Sequence, residues 1–229
     1  MRNTIQTLAL ALILSGPLSA QVVQFSFSGN IDSITERFTG SSTVYVNQPS
    51  SSTYGFTFVL GQQVQGTFTY DLSAVPSISG TRADFANVGG LSFTAASAGY
   101  TFSEASGGDV ALYNDSNVSD GPDLLIYSTS LVDGSSLLHK ASVNLRDSTG
   151  TAFTTQTALP SWLSLDAHTY HKLFFSIEEQ GFGLPPFVSM TVQLNSLALV
   201  AVPEPSSAAL IASAGVLCFA VIIRRKRRG

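Results

Sequence analysis

The chain has 229 residues, of which 44% are hydrophobic and only 11% charged, and its formal net charge is −4. Arg2 and the basic cluster Arg224, Arg225, Lys226, Arg227 and Arg228 are six of its eleven cations, so residues 21–205 hold five cations against all fifteen acids, a net −10. That sign excludes nucleic acid as a partner, because phosphates need a basic face. The single cysteine, Cys218, likewise excludes a disulfide, a zinc–thiolate site or a thiol nucleophile anywhere before it.

Residues 1–20 read as a secretory signal peptide. Arg2 supplies the positive start and Leu8 to Leu14 the apolar stretch, Gly16-Pro17 breaks the helix, and Leu18-Ser19-Ala20 presents a small-residue cleavage point before Gln21. Residues 21–201 are then expected to be exported as one domain, long enough to bury a core unaided. Its polarity rests on hydroxyls, since the chain has 53 Ser and Thr against 26 charged residues.

Within that domain the dominant period is two. Val23, Phe25 and Phe27 alternate with polar residues up to Gly29-Asn30. A Ser-rich loop from Pro49 to Thr53 precedes a strand from Tyr54 to Leu60. Val64, Gly66, Phe68 and Tyr70 then share one face. Further strands are expected at 91–95, 99–103, 110–113, 124–128, 137–145 and 173–178. In the last strand Val188, Met190, Val192 and Leu194 sit at even positions but Leu197 and Leu199 at odd ones. That parity switch at Asn195-Ser196 predicts a bulge, because a one-residue slip would otherwise expose the apolar set. Helical periodicity is scarce, with a turn or two expected within Pro160 to His171. Some ten short strands predict an all-β fold, an antiparallel β-sandwich of jelly-roll type.

Catalytic patterns are faint. There is no Gly-x-Ser-x-Gly elbow. His168-Thr169-Tyr170-His171 with Asp166 is the cluster most like metal ligands, but it lacks the glutamate of a zinc hydrolase motif, and exposed turn histidines account for it as well. Glu178-Glu179 would point to opposite faces of a strand end, and Glu104, Asp109 and Asp133 look isolated in loops. The stretch Asn114 to Asp123 is the most polar. Asp115, Asn117, Asp120 and Asp123 are oxygen ligands of the kind calcium takes, although their spacing departs from an EF-type loop and Asx-turns explain the same residues. No other cofactor is suggested.

The last 28 residues are tripartite. Val202-Pro203-Glu204-Pro205-Ser206 ends any strand, because proline has no N–H and biases its predecessor to extended geometry. An uncharged apolar run continues to Ile223, expected as a transmembrane helix over about 207–223, and Arg224 to Arg228 would hold its end on the cytoplasmic side. This combination resembles the bacterial PEP-CTERM sorting signal, a tail that some schemes label an ice-binding protein C-terminal domain. The resemblance implies processing by an exosortase-type enzyme at the Pro-Glu-Pro. Gly66 to Asp71, Gly89 to Phe93, Asn114-Asp115 through Asp120 to Asp123, and Leu159-Pro160 resemble, more diffusely, the bodies of the same proteins. The resemblance implies an exported, non-enzymatic protein, anchored in the inner membrane before processing and then at the cell surface or outside it, working with extracellular polysaccharide. A calcium-assisted, carbohydrate-binding lectin-like module is the alternative, and a hydrolase around His168 and His171 a third reading.

Overall fold

The computed structural model describes residues 21–114, 123–180 and 185–200. The expected signal peptide (residues 1–20), the expected sorting motif Val202 to Ser206, the apolar run and basic cluster after it, and Asp115, Asn117 and Asp120 lie outside the described residues. Val22–Ala201 forms one compact unit, whose strands are β1 (Val22–Arg37), β2 (Ser50–Thr53), β3 (Phe56–Val59), β4 (Gln63–Asp71), β5 (Ser77–Ser79), β6 (Arg82–Ala95), β7 (Tyr100–Tyr113), β8 (Asp123–Val132), β9 (Leu137–Asp147), β10 (Tyr170–Glu179) and β11 (Phe187–Val200). Among the described residues the only helical turns are 3-10, at Ala96–Ala98 and Leu165–Ala167, and no helix is long and apolar enough to cross a membrane.

The all-β expectation holds, but the sandwich is corrected to a closed antiparallel barrel. Eight strands succeed one another around it as β4-β1-β11-β10-β9-β8-β7-β6, and β6 pairs back onto β4 to close the ring. Alternation reports only that one face is buried. It is the same whether two sheets meet face to face or one sheet curls on itself.

Bulges produce the curl. Asn195 is left unpaired between Ser28↔Ser196 and Gly29↔Leu194, at the predicted parity switch, and Asp32 is skipped between Ile31↔Val192 and Ser33↔Thr191. Closure rests on a short ladder from Gln65↔Thr94 to Phe68↔Leu91. A Cβ at Gly66 would run into the Ser92 carbonyl and the Phe93 Cβ, and one at Gly89 into the Thr69 carbonyl, so the seam closes only over glycine.

The interior is solid. Phe25 stacks on Phe68 at 5.2 Å, and Phe68 meets Tyr127 at 5.6 Å. Phe93 and Tyr100 both pack on Phe175, at 5.0 and 5.5 Å. Outward positions of β1, β4 and β6 around the closing seam carry Gln24, Ser26, Ser28, Gln65, Thr67, Ser92 and Thr94.

Each end is covered by a connection. At the far end the Ser-rich stretch read as a loop is strand β2, which pairs with β3 through a two-residue turn at Tyr54 and Gly55. Both turn residues have positive φ, 57° and 80°, the geometry that two-residue hairpins require. This hairpin drops Phe58 onto Tyr100 and Phe175 at 5.5 and 5.7 Å. At the near end, which carries Val22 and Val200, the β9–β10 connection buries Phe153, Leu159 and Leu163, and the Tyr70 hydroxyl donates to the Pro160 carbonyl at 2.5 Å.

Candidate functional site

Of the four residues proposed for calcium, only Asp123 is described. It opens β8 fully buried, and its Oδ2 accepts from the Phe153 N–H at 2.9 Å. Opposite it in the β8–β9 ladder stands Asp147. That carboxylate accepts from the backbone N–H groups of Thr149, Thr151 and Ala152 at 2.8, 2.8 and 3.1 Å, and from both threonine hydroxyls. Burial alone would raise the Asp147 carboxyl, but the bonds from Thr149 and Thr151 outweigh it and hold the group well below the usual carboxylate range. Both described aspartates therefore anchor the near-end connection. Among the described residues no three His, Cys, Asp or Glu side chains gather as metal ligands.

Each of the two histidines of the His168 cluster has its Nδ1 against a backbone carbonyl. His168 is buried, contrary to the expectation of an exposed turn, with Nδ1 at 2.7 Å from the Ser164 carbonyl and its ring tilted on Phe153 at 5.7 Å. Burial lowers its pKa, which keeps the ring neutral. His171 lies in β10, its Nδ1 3.3 Å from the His168 carbonyl.

The isolated acids are also corrected. Glu104 and Asp109 lie in β7, and Asp133, in the β8–β9 turn, belongs to a relay. Its Oδ2 is 3.1 Å from His139 Nε2, and His139 Nδ1 is 3.1 Å from the Tyr100 hydroxyl. Hydrogen bonds from the Leu137 N–H and His139 lower the Asp133 pKa. The order carboxylate, imidazole, hydroxyl is that of a nucleophilic triad. However, the hydroxyl belongs to a phenol only 1% exposed, and burial, with the Asp133 charge, pushes its pKa far up. With no access for a substrate, the relay satisfies polar groups inside the far end of the barrel.

The surface offers a different site. β7 and β8 are hydrogen-bonded only from Asp109↔Ser128 to Tyr113↔Leu124, so Thr129 to Val132 of β8 have no ladder partner on that side. Where the ladder stops, a groove of about 470 Å³ opens in the barrel wall, lined in part by Asp109, Ser128, Thr129, Ser142, Phe174 and Ser176. Register explains the lining: Ser128 pairs with Ser142, Ser142 with Phe174 and Phe174 with Thr191, one outward row across four strands. The next row runs Ser130, Lys140, Ser176 and Ser189. Lys140 is ion-paired with Glu178, and the Asp109 carboxylate accepts from the Asn87 N–H at 2.8 Å.

Two polar atoms at this seam lack a partner. Thr129 is 8% exposed, and its buried Oγ1 has no hydrogen-bond partner; nor has the buried Tyr127 hydroxyl. Burial, with smaller contributions from the Glu104 and Asp109 carboxylates, raises the Tyr127 pKa, so that hydroxyl keeps its proton. A buried polar atom without a partner costs about 1–3 kcal/mol, which a ligand reaching it would recover.

A second outer depression, of about 530 Å³, crosses β11, β1, β4 and β6 and is also rich in hydroxyls. It presents no outward aromatic ring, and its Ser28 and Ser196 hydroxyls are already bonded to each other at 2.7 Å.

Comparison of the chain with family models, curated proteins and solved structures finds no match. The sequence carries no local sign of the groove, because its residues are single outward positions of separate strands. Phe174, at an outward position of β10 between the buried Leu173 and Phe175, breaks the apolar-in, polar-out alternation of that stretch of strand.

Proposed function

We propose that this is an exported, non-enzymatic barrel that holds neutral extracellular polysaccharide in the groove at the β7–β8 seam. The observation that carries this reading is the groove itself, in which one half-exposed aromatic ring, Phe174, is framed by serine hydroxyls beside the buried, unpartnered Thr129 Oγ1. Sugars are recognised by an apolar ring face against their C–H surface and by hydroxyl and backbone partners around their rim; both kinds of group are present here. The net −10 of residues 21–205 favours a neutral polymer over a polyanion, which the domain's field would repel. A solid aromatic interior argues against a small-molecule carrier of the hollow-barrel type.

On the same reading residues 1–20 direct export, an exosortase-type enzyme acts at Val202-Pro203-Glu204-Pro205-Ser206, and the apolar run with its basic stop holds the chain in the inner membrane until then. Deleting residues 202–229 is expected to move the protein from the envelope fraction to periplasm or medium; unchanged fractionation overturns the sorting part.

The binding part is tested with the full chain in detergent, by affinity electrophoresis through gels carrying dextran, galactomannan or a mixed-linkage glucan. Retardation by at least one neutral glycan, lost by about tenfold in Phe174→Ala, is expected from the loss of one stacking surface. Mobility unaffected by all three polymers, or a Phe174→Ala protein retarded like wild type, overturns it.

A further inference from the structure

The near end of the barrel displays large apolar side chains to solvent. Trp162 is the chain's single tryptophan and is 64% exposed, while Val75 is 88% and Ile78 51% exposed. Trp162 does not hang on a loose loop. Leu159 and Leu163 on either side are buried, the Pro160 carbonyl is held by Tyr70, and the Gln156 amide donates to the Gly80 carbonyl at 2.8 Å, which ties this connection to the one carrying Val75 and Ile78. An indole held outward by an anchored backbone suits a boundary that is apolar on one side and wet on the other.

The same end carries both chain termini of the barrel, and the apolar run begins a short distance beyond the second of them. Only seven residues separate Val200 from Ala208, where that uncharged run starts, and eight peptide steps reach at most about 28 Å. Where the run enters a bilayer, the near end is tethered within this distance of the lipid surface. A tether this short gives an effective concentration on the order of millimolar, so a contact too weak to bind free protein is occupied.

We propose that the near end of the barrel rests on the bilayer into which the tail inserts, with Trp162 at headgroup level and Val75 and Ile78 beside it. This rests on the reading of residues 208–223 as a membrane anchor. Asp71 and Asp166 belong to the same end, and Arg82 there is ion-paired with Asp84, so the end has no excess of cations for anionic headgroups and favours zwitterionic lipid.

The test is made on the full chain reconstituted into phosphatidylcholine vesicles, with and without bromine on the upper acyl chain, because Trp162 is the sole indole and reports on itself. Flotation with the vesicles is measured alongside. The expected result is a blue-shifted emission that brominated lipid quenches, with quenching reduced in Val75→Ser/Ile78→Ser and unchanged in Val46→Ser at the far end. Flotation with a red, unquenched emission overturns the proposal and leaves the anchor standing. Failure to float overturns the anchor, and the docked end with it. Equal loss of quenching in Val46→Ser also overturns it, since the effect would then not belong to this end.

Discussion

Replacing Asp147 with alanine tests how the near end of the barrel is held together. The carboxylate receives five donors, three from backbone and two from hydroxyls. A hydrogen bond to a charged group contributes about 1.5–3 kcal/mol, but the five share one acceptor, and Thr149 and Thr151 are exposed enough for water to replace it. Counting two full bonds gives a loss of about 3 kcal/mol, or roughly 6–12 °C in Tm for a domain of this size. Asp147→Asn keeps one acceptor oxygen and should lose about half as much.

The pH dependence adds a second constraint. Because the folded pKa is depressed, the stabilisation is fully present above the unfolded carboxylate value of about 3.9 and is lost as pH falls below it toward the folded value. The gap in Tm between wild type and Asp147→Ala should therefore be widest near neutrality and shrink on acidification below about pH 4. Thermal melts monitored by circular dichroism between neutral and acid pH measure it. A variant that melts with wild type at neutral pH, or a gap that stays constant into acid, would refute the role assigned to this carboxylate.

Two further outcomes are expected. Gly66→Val should abolish soluble folded protein, because its side chain would occupy the space of the Ser92 carbonyl at the closing seam; Gly107→Ala, whose new Cβ would lie 3.6 Å from Glu104, should change stability by under about 0.5 kcal/mol. Equal yields and melts for the two would contradict the closure. His139→Ala should cost about 2–3 kcal/mol in urea unfolding by leaving the Tyr100 phenol unpaired in the core, and adding Tyr100→Phe should recover part of it; strict additivity in that cycle would argue against the relay.

How much of the fold and the groove is legible in the sequence depends on whether the cause is local. The inward set Val64, Phe68 and Tyr70 and the bulge at Asn195 arise from period-two alternation, which is a property of neighbouring residues. β2 is hidden because Ser50 to Thr53 has no apolar alternation and becomes a strand only against β3. β5, three exposed residues that pair only with Arg82 to Asp84 at the start of β6, is equally silent.

Composition and alternation by themselves determined that the domain between the two chain ends is all-β, acidic, free of thiol chemistry and rich in hydroxyls, and the tail's tripartite chemistry set the expectation of where it goes. Tertiary structure alone decided between sandwich and barrel, since that choice turns on which strand β4 meets, a pairing with a segment remote in the chain that rests on Gly66 and Gly89. It also joined Asp133 to Tyr100 through His139 and placed Phe174 beside the place where the β7–β8 ladder stops. Such juxtapositions arise from pairing between distant segments, and period-two alternation carries no record of them.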